Sequence, residues 1–280
     1  MALLTFNFES QYLNNNHEIS IILPDKPREV EPAAFYGSGK KYKVLWLLHG
    51  TFGDHSDWIR KSNIELYACE KGPHRRHAQR PERQLRQLGS ASPSATTCTT
   101  TSSKELMPLI YGWFPASDKR EDNFIAGLSM GGNGTLQYAA GHPEKFGGAA
   151  ILSCAPRDLH QLAKDLEDPE FAKVNYRLVN GIRNAGGMEG YLNSPINVWD
   201  RLPELIEQDA LPPLYFCCGK NDFLYDRYKA FKEYAQKLGL KATFEEFDGF
   251  THEWRFWDLT IQKALTFFGL DPEEALGNPF

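Results

Sequence analysis

The pentapeptide Gly127-Leu128-Ser129-Met130-Gly131 constrains this chain more than any other stretch. It follows the apolar run Asn123-Phe124-Ile125-Ala126 and leads into Gly132-Asn133-Gly134-Thr135-Leu136-Gln137-Tyr138. A strand that ends in G-x-S-x-G and turns at once into a helix puts its serine on a tight, strained corner, exposed above the sheet. Glycine is needed on both sides, because side chains at 127 and 131 would collide where strand and helix pack across so sharp a turn. The pattern predicts a nucleophilic Ser129.

Around that corner, strand and helix signals alternate. Leu3 to Glu9 and His17 to Leu23 read as two antiparallel strands at a sheet edge, joined by Asn14-Asn15-Asn16. Pro24 to Lys41 reads as a surface connection. Tyr42 to Leu48 is a near-continuous apolar run, as expected of a strand covered on both faces. Ser56 or Asp57 caps a predicted helix from about Trp58 to Glu70, and Lys104 to Trp113 is another, stopped by Pro115. Gly147 to Ser153, Leu214 to Cys218 and Ala242 to Phe247 read as strands. Helices follow the last two, one to about Leu238 with Gly239 as its stop, the other to Phe268. Between the strands Gly147 to Ser153 and Leu214 to Cys218, Pro156 to Leu211 carries broken helical patterns. The alternation calls for an α/β fold with a mostly parallel central sheet and helices on both faces, in one domain spanning residues 1–280. Reactive groups then belong at the carboxyl ends of the strands.

Composition narrows the function. A net charge of -5 and a pI near 5.9 leave no basic footprint for nucleic acid. No window approaches the roughly 18 to 20 apolar residues of a membrane span, and Met1 to Ser20 lacks the basic start and apolar centre of a signal peptide, so a cytoplasmic location is expected. Five cysteines, at 69, 98, 154, 217 and 218, show no framework spacing and read as reduced thiols. Cys217 and Cys218, within an apolar run, read as buried thiols rather than a metal site.

A serine hydroxyl needs a base within hydrogen-bond reach and a third group to fix that base. After Ser129 the histidines are His142, His160 and His252. His252 leaves the last strand, where a side chain can reach back over the sheet; His142 sits at a helix end and His160 in the broken helical region. Among the acids, Asp222 lies just past a strand end in Gly219-Lys220-Asn221-Asp222, Asp226 is one helical turn further, and Asp248 leaves the final strand. Asp222 is the best placed of the three.

The elbow G-L-S-M-G-G, the loop H-G-T-F-G at His49 to Gly53, the acid turn G-K-N-D-F-L-Y and the base turn T-H-E-W-R-F-W together resemble the esterase D branch of the α/β-hydrolases. That branch includes S-formylglutathione hydrolases, and the likeness is greatest to tributyrin-type and feruloyl or acetyl-xylan esterases. It implies Ser129 as nucleophile, Asp222 as acid, His252 as base, and the Thr51 and Met130 amides as the oxyanion hole. His49 then braces its loop, since this fold takes its base from the C-terminal end. Phe52, Phe223, Trp254 and Trp257 are the implied substrate-binding side chains, and residues 156–211 an insertion forming part of the substrate wall. The implied activity is a serine carboxylesterase acting on short acyl or hydroxycinnamoyl esters through an acyl-serine, without cofactor or metal. Its partner is a small ester, plant cell-wall esters included, with no nucleic acid or membrane and with a homo-oligomer allowed. Within enzymes the alternatives are an S-formylglutathione thioesterase or an acyltransferase; outside them, a catalytically silent binding protein on the same fold.

One stretch departs from that family. Between Pro73 and Ser103 there is no Val, Ile, Phe, Trp, Tyr or Met, yet there are five arginines, where the fold needs a buried parallel strand. The composition suits a disordered insertion. It also suits a frame-slipped segment: His74 to Gln79 can be written CAT-CGT-CGT-CAT-GCC-CAG, which one base later reads Ile-Val-Val-Met-Pro. Thr97 to Ser102, written ACA-TGC-ACG-ACT-ACC-TCA, reads Met-His-Asp-Tyr-Leu from the last base of its first codon. If the letters are genuine, the fold does without that strand or fills its place with a poor one.

Overall fold

Alternating side chains near the start of the chain build an edge hairpin in which β1 (Ala2–Ser10) pairs antiparallel with β2 (Asn15–Leu23), Phe6 opposite Ile19. Asn14 closes the turn at a φ of 53°, a left-handed value that asparagine tolerates better than most residues. The computed structural model describes residues 2–24, 26–70, 87–89, 102–194 and 196–270.

Six strands continue the sheet in parallel: β3 (Val44–Leu48), β4 (Gln87–Gly89), β5 (Asn123–Leu128), β6 (Gly148–Leu152), β7 (Leu214–Gly219) and β8 (Ala242–Phe247). The spatial order is β1-β2-β4-β3-β5-β6-β7-β8, with β2 antiparallel to β4. The place expected to lack a strand is thus taken by three residues, Gln87–Gly89, bonded between β2 and β3. Residues 74–79 and 97–101, on which the frame-slip reading rests, lie outside the described residues.

Successive strand residues point to opposite faces, so the sheet divides the apolar side chains into two cores. Val44, Trp46, Ile125 and Phe216 face one core; Leu45, Leu47, Phe124, Ala126 and Tyr215 face the other. The first is covered by α4 (Met107–Trp113), α5 (Met130–Gly141), α10 (Val198–Glu207) and α11 (Tyr225–Lys237), through residues such as Ile110, Leu136, Leu202 and Phe231. The second is covered by α2 (Asp57–Lys61), α3 (Ile64–Glu70) and α12 (Trp254–Phe267), through Trp58, Ile64, Phe256 and Ile261. Burial on both faces explains why these strands read as unbroken apolar runs.

Several boundaries differ from the sequence reading, each for a local reason. The expected surface connection holds a short helix, α1 (Pro32–Tyr36), with proline in its first turn. The helix expected over Trp58 to Glu70 is broken between α2 and α3. There, Ser62 turns extended and bonds the Trp58 carbonyl through its hydroxyl, while the Asp258 carboxylate on α12 accepts from Asn63 N–H at 2.7 Å and from Tyr67 Oη. A distant carboxylate thus overrides local propensity. Ser56 does precede α2, but its hydroxyl bonds Asp54 at 2.6 Å instead of capping the helix. The helix ending at Trp113 begins as a π-turn over Ser102–Leu106, and Phe114 becomes extended ahead of Pro115.

Between β6 and β7 lie five helices: α6 (Leu159–Asp165), α7 (Pro169–Val174), α8 (Tyr176–Asn184), α9 (Gly187–Leu192) and α10. Asp158, Asp168 and Asn197 cap three of them through their side chains. Leu159, Leu162 and Ile182 give this segment a small apolar cluster separate from the two sheet cores. Among the described residues no helix is long and apolar enough to cross a membrane.

Candidate functional site

Ser129 stands between β5 and α5 at φ 53° and ψ -118°, a backbone conformation that L-residues adopt only under constraint. The constraint is visible in the glycines. A Cβ on Gly127 would lie 2.3 Å from the Gly131 carbonyl oxygen, and one on Gly131 would lie 2.5 Å from both the Leu48 and His49 oxygens. Only bare backbone fits where β5, α5 and the end of β3 converge. The corner is tied down by Ser129 N–H donating to Leu152 O at 2.9 Å, and by Asn133 N–H donating to Ser129 O at 3.2 Å. As the first residue of α5, Met130 has an amide with no intrahelical acceptor. Thr51 lies in the exposed loop after β3. Beneath that loop His49 is buried and its Nδ1–H donates to Gly50 O at 2.7 Å.

Further along the same carboxyl edge of the parallel strands, the turns after β7 and β8 are laced together. Lys220 N–H donates to Phe247 O at 2.8 Å and Asn221 N–H to Phe250 O at 3.0 Å. Within this mesh the Asp222 carboxylate accepts from Leu224 N–H at 2.8 Å through Oδ1 and from His252 Nδ1–H at 2.7 Å through Oδ2. Accepting on Nδ1–H fixes the tautomer and leaves Nε2 as the basic nitrogen. A second histidine with a carboxylate close by after the elbow is His160, 2.8 Å from Asp200. The two pairs differ in burial: Asp222 and His252 side chains are 0% and 18% exposed, against 37% and 62% for Asp200 and His160. A charge pair in water does little to an imidazole, whereas a shielded one holds it in place. His142 lies 3.7 Å from Glu144 beyond α5, Asp226 is exposed in the first turn of α11, and Asp248 pairs on the surface with Lys220. Among the described residues no hydrogen bond joins the Ser129 hydroxyl to the imidazole; such contacts commonly tighten only with substrate in place.

The four aromatic candidates fall into two groups. Phe52, at φ 64° and 84% exposed, and Phe223, 76% exposed, stand out from the surface, with the Phe223 ring 4.6 Å from that of His252. Trp254 and Trp257 belong to a ladder below. Trp257 is buried, meets the His252 ring edge-on at 5.0 Å and donates its indole N–H to Ser153 Oγ at 2.9 Å; Trp254 stands between Trp257 and Trp58, both at 5.3 Å. Ser153, buried at φ 48°, and Trp58 were not singled out by sequence reasoning. Neither sits in a motif, and only the fold brings them behind the imidazole. Cys154, Cys217 and Cys218 are free and buried; burial raises the Cys154 and Cys217 thiols to about 11 and about 12, which keeps both protonated near neutrality.

Comparison with known proteins identifies the family and the fold. The Esterase family model matches residues 10–268. An acetyl esterase of Caldicellulosiruptor saccharolyticus is 28% identical over 95% of this chain and 97% of its own length. Among solved structures, S-formylglutathione hydrolase (FrmB) from Staphylococcus aureus has a TM-score of 0.74 at 27% identity, covering 96% of this chain and 99% of that one. Fluorophosphonate-binding serine hydrolase F (FphF) of the same organism has a TM-score of 0.72 at 27% identity, covering 96% and 98%. A ferulic acid esterase shares the fold at 20% identity, with a TM-score of 0.65 and coverage of 95% and 97%.

Proposed function

The chain belongs to the Esterase family and is a carboxylic ester hydrolase of the α/β-hydrolase fold, and from that premise we propose that it cleaves esters of short or hydroxycinnamic acids through an acyl-serine intermediate. The observation that carries the reading is the shielded Asp222–His252 bond at 2.7 Å, on the same carboxyl edge of the sheet as the strained Ser129. Ser129 Oγ attacks the ester carbonyl while His252 Nε2 takes its proton, and Asp222 stabilises the imidazolium. The negative charge gathering on the carbonyl oxygen is met by the Thr51 and Met130 N–H groups. The tetrahedral adduct collapses, the C–O bond to the alcohol breaks, and His252 returns the proton to the departing oxygen. Water then attacks the acyl-serine by the same route, releasing the acid and restoring Ser129.

Phe52 and Phe223 give the mouth an aromatic rim, Trp254 and Trp257 back the base, and the five helices between β6 and β7 form the side wall. So bounded, the site suits acyl chains of about two to four carbons or a flat cinnamoyl group. The acetyl esterase relative favours the short-chain side of this range. A second reading, hydrolysis of S-formylglutathione, is favoured by the likeness to a protein of that name.

A hydrolysis panel of 4-nitrophenyl acetate, 4-nitrophenyl butyrate, 4-nitrophenyl decanoate, methyl ferulate and S-formylglutathione tests the reading, together with fluorophosphonate labelling. Turnover is expected to be fastest on acetate, butyrate or ferulate, with one label per chain, on Ser129. Rates rising towards the decanoate, or a label on another residue, would overturn it, and a dominant rate on S-formylglutathione would decide for the second reading.

A further inference from the structure

A single hydrogen bond fixes one atom of the His252 ring and leaves its direction open. Asp222 holds Nδ1 at 2.7 Å, and a pivot about that contact, through a side-chain torsion that is broad by nature, would swing Nε2 towards or away from the nucleophile. Two aromatic rings limit the pivot. Phe223 lies 4.6 Å away at 55°, but its side chain is exposed. Trp257, in the first turn of α12, lies 5.0 Å away at 87° and is only 5% exposed, so it is the firmer of the two and offers almost no surface to a substrate.

The Trp257 ring is itself pinned. Its indole N–H donates to Ser153 Oγ at 2.9 Å, and Trp254 meets it edge-on at 5.3 Å. Ser153 is fully buried at the carboxyl end of β6, where its own N–H donates to Cys217 O of β7 at 2.9 Å. The residue before it, Leu152, accepts Ser129 N–H at 2.9 Å. Two consecutive residues therefore hold both reacting halves of the site, the Leu152 oxygen the corner of the nucleophile and the Ser153 hydroxyl the ring behind the base. Ser153 keeps that place at a φ of 48°, a left-handed value that strains an L-residue and that glycine would take freely. Glycine, however, would leave the indole N–H buried without an acceptor.

We propose that Ser153 is a positioning residue for the base: through Trp257 it sets the direction of His252 Nε2, and together with Leu152 it fixes the separation of base and nucleophile from one end of β6. Trp257 then acts on the imidazole and not on the substrate. This rests on the serine esterase reading and adds to it how the base is aimed.

Ser153→Ala removes the acceptor of this bond and Trp257→Phe the donor. On 4-nitrophenyl acetate each is expected to lower kcat about tenfold with KM changed by less than about twofold, the mark of a misaimed base and not of a lost substrate contact. The double variant is expected to lose no more than the worse single one, because both changes cut the same bond. Ser153→Gly, relieved of strain, is expected to melt higher than Ser153→Ala and yet be no more active, whereas a merely structural role would make activity follow stability. NMR of protein labelled with 15N-histidine reads the ring without catalysis: one sharp set of His252 ring signals is expected in wild-type protein, broadened or doubled in Ser153→Ala. Should Trp257→Phe fail to fold, the two Ser153 variants and the NMR spectra carry the test. An unchanged kcat in Ser153→Ala, losses that multiply in the double variant, a raised KM with kcat kept in Trp257→Phe, or His252 signals unaltered in Ser153→Ala would overturn the assignment. If wild-type protein hydrolyses no ester of the panel and Ser129 takes no label, while the His252 signals still change in Ser153→Ala, the esterase reading fails and the hold of Ser153 on the ring stands.

Discussion

Ser129 is held by steric exclusion, whereas Asp222 and His252 are held by hydrogen bonds, and the two halves of the site should fail in different ways. At the elbow the glycines at 127 and 131 admit backbone at distances no side chain could survive. At the acid and base turns, Lys220 and Asn221 N–H reach across to Phe247 and Phe250 oxygens, and Asp222 spends one oxygen on its own turn and the other on His252. Exclusion is indifferent to solvent and all-or-none. A mesh of hydrogen bonds is graded, and each member relies on the others.

The largest effect expected from breaking either half is at the nucleophile. Ser129→Ala should lower kcat on the order of 10⁵-fold while the protein stays folded. Ser129→Gly should be as inactive yet more stable than wild type by about 1 kcal/mol, because glycine accepts a φ of 53° without strain. Thermal denaturation beside the activity assay checks both. A glycine variant no more stable than the alanine one would mean that the corner stores no strain.

Next comes the acid. Asp222→Asn should cost on the order of 10³ to 10⁴ in kcat, since an amide no longer selects the Nδ1–H tautomer of His252. Asp226→Asn, on the exposed first turn of α11, should stay within about twofold, as surface carboxylates commonly do. Reversal of the two results would assign the acid to Asp226.

A smaller loss should follow from prising the two turns apart. A Cβ on Gly219 would meet the Phe250 carbonyl oxygen at 2.4 Å. Gly219→Ala should therefore displace the base turn and lower kcat by roughly 10²-fold, the scale of an ångström-sized misplacement, with the protein still folded. Gly131→Ala, at the rigid half, should fail to give folded protein at all. Circular dichroism and kinetics on both variants sharpen the comparison, and equal behaviour would erase it.

The same contrast explains what could be read from the sequence. Exclusion leaves a local mark, so G-L-S-M-G announced Ser129, and a strand buried on both faces leaves an apolar run, so β3, β5, β6 and β7 could be drawn closely. Hydrogen-bonded and packed contacts between distant positions leave none. Nothing near Ser62 says that Asp258, nearly two hundred residues away, will split a helix there, and nothing near Ser153 says that the Trp257 indole will bond it behind His252. β4 is the converse case: Gln87–Gly89 holds the strand position through backbone pairing with β2 and β3, although its composition argued against a strand there.

The smallest effect should come from the surface ion pair that joins the acid and base turns, Lys220 with Asp248. Lys220 Nζ lies 2.9 Å from Asp248 Oδ1, which raises the lysine pKa through that hydrogen bond and the carboxylate charge. Yet the two side chains are 39% and 86% exposed, so water and salt screen the attraction that the short distance suggests. The backbone bonds from Lys220 and Asn221 already join the same turns without either side chain. Asp248→Asn should accordingly change kcat/KM by less than about twofold, and wild-type activity on a neutral ester should be nearly flat from low salt to about 0.5 M NaCl. A tenfold loss in the variant, matched by an equal loss in salt, would mean that the surface pair and not the backbone mesh sets the distance between the turns. The acid–base half would then be held by charge, and its tolerance of salt, rather than of added side chains, would be what separates it from the elbow.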